Sequence, residues 1–589
     1  MYVVATAGHV DHGKSTLVRT LTGMEPDRWA EERRRGMTID LGFVWCDLPS
    51  GRTVAFVDVP GHARFVGNML AGVGPVPAVL FVVAADEGWQ QQSAEHLAAL
   101  DALGVRAGIL VITRSDAMEP ELALAEAREH LAGTTLEGIP DVAVSAVTGE
   151  GMEALRDAVD ELLAGLPAPR PAADVRLWVD RVFTIRGSGT VVTGTLGAGT
   201  IRVGDTLQIA HTGSAVRVRG LQSLQQAREQ VEPVARVAVN LRGVEADELH
   251  RGNALLTPNR WPMPDQIDVR LRGSAPAQLP AGLVLHVGSA AVPVRVRPLG
   301  PDTARLQLET PLPLRPGDVA LLRNPGASSI PAGVTVLDVL PPALRRRGAA
   351  RVRAAELDDV TGAADPAGEV RRRVLVRRAD LVAAGVLAPG DAAPAGAVEH
   401  AGWLIDAGHW SALAVRLQEL VRRHADENPL DAGLSAAAAA RSLGLPEAAL
   451  VDPLATATDG VEADRGRLRP AGAAVQFPPG LDVLVSRLQT EPFAAPEAAE
   501  LERLQLGPAV LAAAVRDGRL LRIAEGVFLL PEAEDAAVAR LAELDQPFTL
   551  SEARQVLSTS RRVAVPLLER LDAQGRTVRA DALHRKVRA

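Results

Sequence analysis

Residues 8 to 16 read Gly-His-Val-Asp-His-Gly-Lys-Ser-Thr, a spacing of glycines, lysine and hydroxyl groups suited to holding phosphates. Gly8 and Gly13 let backbone N–H groups point at phosphate oxygens, Lys14 reaches the β and γ phosphates, and the Ser15 hydroxyl binds Mg²⁺. Asp11, His12 and Thr16 complete the loop. A second cluster, Asp58-Val59-Pro60-Gly61-His62, follows the apolar run Thr53 to Val57. There Asp58 holds Mg²⁺ through water, Gly61 brings a backbone N–H to the γ-phosphate, and His62 orients the attacking water for in-line hydrolysis. Between the two, Arg33-Arg34-Arg35-Gly36-Met37-Thr38-Ile39 offers the Thr38 hydroxyl to the metal, as a loop ordered by a triphosphate would.

A third cluster sets the base. After the apolar run Ala107 to Ile112 comes Thr113-Arg114-Ser115-Asp116, where GTP-hydrolysing proteins commonly carry Asn-Lys-x-Asp. The Asp116 carboxylate accepts hydrogen bonds from the N1 and N2 donors of guanine, which adenine lacks. Thr113 and Arg114 depart from the pattern and bear on how tightly nucleotide is held. Ser145-Ala146, ahead of Gly149-Glu150-Gly151, fits a loop that closes over the base. A single His or Asp in such a place is most often structural, but four elements in the right order argue for GTP or GDP with Mg²⁺.

These residues need a buried strand leading into the phosphate loop and a helix leaving it, and the apolar run Tyr2 to Thr6 supplies the strand. At 589 residues the chain should hold four to seven modules, because one core rarely grows past roughly 250 to 300 residues. Its 47% hydrophobic and 23% charged content is ordinary, and no apolar run approaches the ~18 to 20 residues of a membrane span. No membrane partner is expected. The N-terminus begins in the first strand without a basic n-region or cleavage signature, so a cytoplasmic location is expected. Cys46 is the only cysteine, which forbids an internal disulfide and a Cys-cluster metal site and suits a reducing compartment.

The net charge of −9 argues against a generally basic nucleic-acid binder, yet Leu550 to Ala589 holds nine Arg or Lys against four Asp or Glu. That tail carries the footprint of a phosphate-backbone ligand, with a solvated helix face as the competing reading. Beyond the Pro-rich linker Pro167 to Pro171, short β-branched strands alternate with Gly turns to about Pro341, which fits two small barrels. From Leu344 onward, helical periodicity with short strand-like returns repeats at about sixty residues, by the periodicity criterion. In the last repeat Ser551 to Leu557 reads as a helix, Ser558-Thr559-Ser560 as turn and cap, Arg561 to Ala573 as a second helix and Arg576 to Arg579 as a wing strand. This is a helix-turn-helix with a wing, whose second helix presents its N-terminal residues to a groove or bulge.

The wording of the loops, Gly8-His9-Val10-Asp11-His12-Gly13-Lys14, Arg35-Gly36-Met37-Thr38-Ile39 and Asp58-Val59-Pro60-Gly61-His62, resembles the translational GTPases of the elongation factor Tu type. Gly187-Ser188-Gly189-Thr190-Val191-Val192-Thr193-Gly194-Thr195 is similar to that family's second domain. With the string of winged-helix modules added, the chain resembles the bacterial selenocysteine-specific elongation factors (SelB). The expected fold is multidomain: an α/β P-loop GTPase domain (1–169), two small β-barrels (173–260 and 264–341), then a tandem array of α+β winged-helix modules (345–408, 409–472, 475–531 and 532–589). The resemblance implies a monomeric, ribosome-stimulated GTPase that carries selenocysteinyl-tRNA to a recoded UGA while its last modules bind an mRNA hairpin, the SECIS.

Such a factor must accept a selenol and refuse serine on the same tRNA. A selenol is an anion at neutral pH, serine is neutral, and a cysteine thiol of pKa about 8.5 is mostly protonated. Positive charge is therefore expected in the pocket, and Asp180, Arg181 and Arg236 match the positions that line the family's aminoacyl site. Asp180 would orient the guanidinium groups or meet the α-amino group; a buried arginine left without its anion would supply the discrimination. An ordinary barrel-surface salt bridge is the competing reading. With aromatic residues only 3% of the chain, RNA recognition would rest on arginines: Arg561 and Arg562 at the second helix, Arg579, Arg585 and Lys586 from the wing, and Arg554. Other functions compatible with the motifs are a general aminoacyl- or initiator-tRNA carrier, a metabolic GTPase driving a partner enzyme, and a GTPase fused to a DNA-binding regulator.

Overall fold

The computed structural model describes residues 1–26, 40–60, 68, 69, 72, 76–185, 189–327, 329–431, 433–473 and 475–588. Thr38, Gly61 and His62 lie outside the described residues. Contacts divide the chain into two units, Met1–Pro394 and Ala395–Ala589. The break falls within the segment 345–408 expected as one module.

The first unit opens with a six-stranded sheet built from β1 (Tyr2–Gly8), β2 (Gly42–Asp47), β3 (Thr53–Asp58), β4 (Ala78–Ala84), β5 (Ala107–Thr113) and β6 (Asp141–Ala143), in the order β2-β3-β1-β4-β5-β6. Only β2 runs antiparallel to its neighbour. β1 and β4 are buried along nearly their whole length, which is why they read as unbroken apolar runs: helices cover both faces of a parallel sheet. The helices are α1 (Lys14–Thr22), α2 (Gln91–Ala102), α3 (Glu121–Leu131) and α4 (Met152–Ala164). Gly8 must be glycine, because its φ is +130° and a Cβ there would stand 2.1 Å from the Val82 carbonyl oxygen.

A first barrel follows in which strands 206–209, 254–256, 176–178, 189–196, 235–242 and 215–223 pair in turn, and the last returns to the first. Alternating burial along Ala235–Arg242 puts Arg236 and Val237 on opposite faces. The second barrel, Gln266 to Asp338, is closed over six strands. Gly288 seats the two barrels together: a Cβ there would fall 2.3 Å from the Trp178 ring. The second barrel also meets the nucleotide domain, since a Cβ on Gly333 would stand 2.2 Å from the Ala102 carbonyl oxygen at the end of α2.

Helices Ala349–Glu356 and Pro366–Arg373 are joined to this barrel by a buried ionic lattice. Asp268, fully buried, accepts from Arg305 Nε at 2.7 Å and Nη2 at 3.0 Å and from Arg353 Nε at 2.7 Å. Asp338 pairs with Arg353 and, at 2.6 Å, with Arg373. Arg270 donates to the carbonyls of Leu357, Asp358 and Val360 at 2.7 to 2.9 Å, capping the first helix's C-terminal end.

The second unit begins with the hairpin Ala397–His400 and Trp403–Asp406 and the long helix Ala407–Glu427. Two short helices and a three-stranded sheet complete that module. The next has helices Pro479–Thr490, Ala498–Arg503 and Pro508–Arg516 with a hairpin Leu521–Ala524 and Val527–Leu529. In the last, helices Ala533–Ala542, Leu550–Val556 and Arg561–Ala573 lean on a sheet of Phe548–Thr549, His584–Val587 and Thr577–Arg579. Thr549 and Glu552 form a capping box at the start of its second helix.

Candidate functional site

The phosphate loop turns out of β1 and caps α1 with Gly13 at φ 77°. Lys14 Nζ donates to the carbonyls of Gly8 at 3.1 Å and His9 at 2.5 Å, and burial pushes its pKa down to about 8. Ser15 Oγ donates to Asp58 Oδ2 at 2.6 Å, while Thr6 Oγ1 donates to Asp58 Oδ1 at 2.8 Å. A hydroxyl and a carboxylate side by side are the hard oxygen donors that Mg²⁺ takes, so this donor set fits the ion. A cavity of about 520 Å³ runs from Gly13, Lys14 and Ser15 to Asp116 and Ala146. It joins the residues expected for phosphate to those expected for base.

Two side chains expected at the nucleotide, His12 and Arg114, are engaged by protein atoms. The His12 side chain is buried beneath the loop with Nδ1 3.2 Å from the Val82 carbonyl oxygen, and burial lowers its pKa to about 4; what it offers a nucleotide is backbone. Arg114 extends over Asp86 at 2.9 Å and Glu87 at 2.8 Å and onto the Asp11 carbonyl. It braces the loop while lining the cavity. Thr113 Oγ1 donates to the His12 carbonyl at 2.8 Å, so a hydroxyl ties the base-reading strand to the phosphate loop. Ser145 Oγ donates to Asp116 at 2.6 Å and accepts from the amides of Val147 and Thr148, which presents the carboxylate.

The second cluster lies where the first barrel meets β2. Asp180 grips Arg236 through two hydrogen bonds, and Thr193 Oγ1 donates to Asp180 Oδ1 at 2.7 Å. The Arg236 guanidinium stands 3.9 Å and that of Arg181 5.2 Å from the centre of the Phe43 ring. Arg181 pairs with Asp40 at 2.9 Å and donates to the Leu41 carbonyl. Each of these two arginines thus has a carboxylate partner. One donor is left over: Arg181 Nε–H is buried and has no hydrogen-bond partner among the described residues. Arg181 lines both a small cavity with Phe43, Thr193 and Arg236 and a wider cleft with Asp40, His250 and Arg251.

In the last module the six expected RNA contacts separate. Arg554, Arg561 and Lys586 are exposed, and Arg579 is 60% exposed with Asp572 3.6 Å away. Arg585 is held by Asp572 at 2.9 Å with its side chain only 12% exposed. Arg562 donates to the carbonyls of Pro496 at 2.9 Å and of Ala495 and Gly526 at 3.2 Å. Arg585 is thus held against its own module, whereas Arg562 is exposed and at the same time engages three carbonyls of the preceding module.

Comparison with known proteins follows the same partition. Residues 1–165 match the family described as elongation factor Tu GTP binding domain and 189–256 elongation factor Tu domain 2. Residues 264–343 match the selenocysteine-specific elongation factor beta-barrel domain, and 539–585 the elongation factor SelB winged helix. Elongation factor Tu 2 of Streptomyces avermitilis is 35% identical over 281 residues, 43% of this chain and 72% of that one. The selenocysteine-specific elongation factor of Desulfomicrobium baculatum is 40% identical over 359 residues, 58% of this chain and 57% of its own. The chain belongs to the elongation factor Tu-type GTPases. It spans a little over half the length of the selenocysteine-specific relative it matches. A solved structure described as bacterial selenocysteine-specific elongation factor EF-Sec shares the fold over 100% of both chains, with TM-score 0.74 at 24% identity.

Several residues of this elongation factor Tu-type chain carry no motif of their own. Gln92 Oε1 accepts the Val10 amide at 3.2 Å and His96 Nδ1 the Gly8 amide at 3.0 Å. They sit four apart on α2, one face of a helix, and that spacing was the available signal. Phe43 and Asp40 carry no local signal, because the fold alone brings them to the first barrel.

Proposed function

We propose that the chain is a GTP-dependent carrier that takes selenocysteinyl-tRNA to ribosomes paused at a recoded UGA, acting as a monomer in the cytoplasm, while its last module grips an mRNA hairpin. The orphan Arg181 Nε–H beside Arg236 and Phe43 carries this reading. Arg181, Arg236 and Arg251 stand with Asp40 and Asp180 around these cavities. An aminoacyl selenolate supplies the missing acceptor and brings a negative charge to it, and a charge-assisted bond of this kind is worth about 1.5 to 3 kcal/mol. Serine's hydroxyl brings no charge.

At the nucleotide, Lys14 exchanges its two carbonyl partners for phosphate oxygens, and backbone amides from Gly13 to Thr16 hold the chain of phosphates. Ser15, Thr38 and, through water, Asp58 would hold Mg²⁺, which would supply positive charge against the phosphates. Asp116 and Ser145 hold guanine, and His62 with Gly61 positions the attacking water. Among the described residues no helix is long and apolar enough to cross a membrane. The test is protection of the aminoacyl ester: with GTP, the chain should shield selenocysteinyl-tRNA but not seryl-tRNA on the same acceptor from deacylation. Equal shielding would instead support a general aminoacyl-tRNA carrier.

A further inference from the structure

The two C-terminal modules are joined at the end of the helix expected to read RNA. Leu484, Leu488 and Phe493 of one belong to the same buried cluster as Phe548, Val563 and Leu567 of the other. Across this core Thr559 Oγ1 donates to the Phe493 carbonyl at 2.5 Å, and Arg562 donates to the carbonyls of Ala495, Pro496 and Gly526. Gly526 is the turn of the upstream module's own wing hairpin. In a free winged helix, the second helix's N-terminal end and the wing are what meet nucleic acid. Here the upstream wing meets protein, and its helix Pro508–Arg516 has no basic residue in its first turn.

We propose that the module at 475–531 is the seat of the reading helix, and that Arg562 and Thr559 are positioning residues that fix the helix end bearing Arg561. This rests on the mRNA-hairpin reading above. The acceptors are backbone carbonyls of two separate loops, 493–496 and 526, so the clamp fixes the helix end in two directions. A rigid base keeps Arg561 and its neighbours in one arrangement before the RNA arrives, which lowers the ordering cost of binding. The RNA-facing set is accordingly Arg554, Arg561, Arg579 and Lys586.

The test uses the full chain and a fluorescein-labelled stem-loop RNA enriched on it from a pool with a randomised loop, with affinity measured across salt concentrations. Arg561→Ala should weaken binding and flatten the log-affinity against log-salt slope by about one, as a lost phosphate contact does. Arg562→Ala and Thr559→Val should each weaken binding about tenfold with the slope unchanged, and Thr559→Ser should restore it. Amide exchange at 493–496 and 524–527 should quicken in the two weakened variants. Wild-type affinity in Thr559→Val, or an Arg562→Ala slope that falls like that of Arg561→Ala, overturns the clamp. If no stem-loop is enriched at all, the RNA reading itself falls and takes the clamp with it.

Discussion

Arg181 illustrates how a single unsatisfied N–H can carry selectivity. Arg181→Gln removes the charge while keeping a polar side chain, and preference for selenocysteinyl- over seryl-tRNA should drop about ten- to a hundredfold, the size of one charge-assisted bond; deacylation-protection titrations of both tRNAs read this directly. A second residue-scale consequence concerns His96. It is buried and neutral, its pKa lowered to about 3 chiefly by desolvation and also by Lys14 and His9. The unfolded chain takes up the proton near 6.5, so stability is whole above that pH and is lost as pH falls below it. At pH 5 the loss is about 2 kcal/mol for this imidazole. His96→Gln keeps an acceptor for the Gly8 amide and should flatten the fall in thermal stability between pH 7 and 5; parallel pH profiles would refute this. The phosphate loop was legible because its chemistry sits in nine consecutive residues. His96 and Gly8 are 88 positions apart and Arg181 and Leu41 are 140 apart, and nothing local encodes such a meeting.

At the level of elements, periodicity carried most of the fold. The alternation in Ala235–Arg242 and the 3.6-residue pattern in Arg561–Ala573 read directly as barrel strand and helix, and the helix expected at 551–557 lies at Leu550–Val556. What periodicity does not reveal is which face of an element meets another domain. The turn at Gly288 is such a place, with φ 53° and no room for a methyl group against Trp178. Gly288→Ala forces the indole to move, and overpacking of this kind costs about 1 to 3 kcal/mol. Faster amide exchange in Arg176–Trp178 and Leu283–Val287 would register the loosened joint; unchanged exchange in both would show that the indole yields freely. The upstream wing followed the same logic: its strands were legible, the hydrogen bond from Arg562 to its turn was not.

At the scale of the whole molecule, a buried ionic lattice fastens the segment after the second barrel to that barrel, and an apolar core fastens the last two modules to each other. Asp268 serves Arg305 and Arg353 at once. Asp268→Asn leaves two buried guanidinium groups short of a charge, and breaking such a pair typically costs about 3 to 5 kcal/mol. The segment Leu344–Pro394 should then lift from the barrel, and trypsin should cut native protein at Arg345–Arg347 and Arg351 faster than wild type. Equal cleavage rates would mean the lattice does not hold it. Composition alone announced many modules but not how they are joined, since an Arg on a helix reads the same whether it faces solvent or a buried Asp. The apolar cluster common to residues 481–571 has a consequence for inheritance and engineering. A donor chain cannot lend its last fifty residues alone, because the transplant would arrive with a naked greasy flank; recombination has to move the pair together, and the two should melt as one cooperative block.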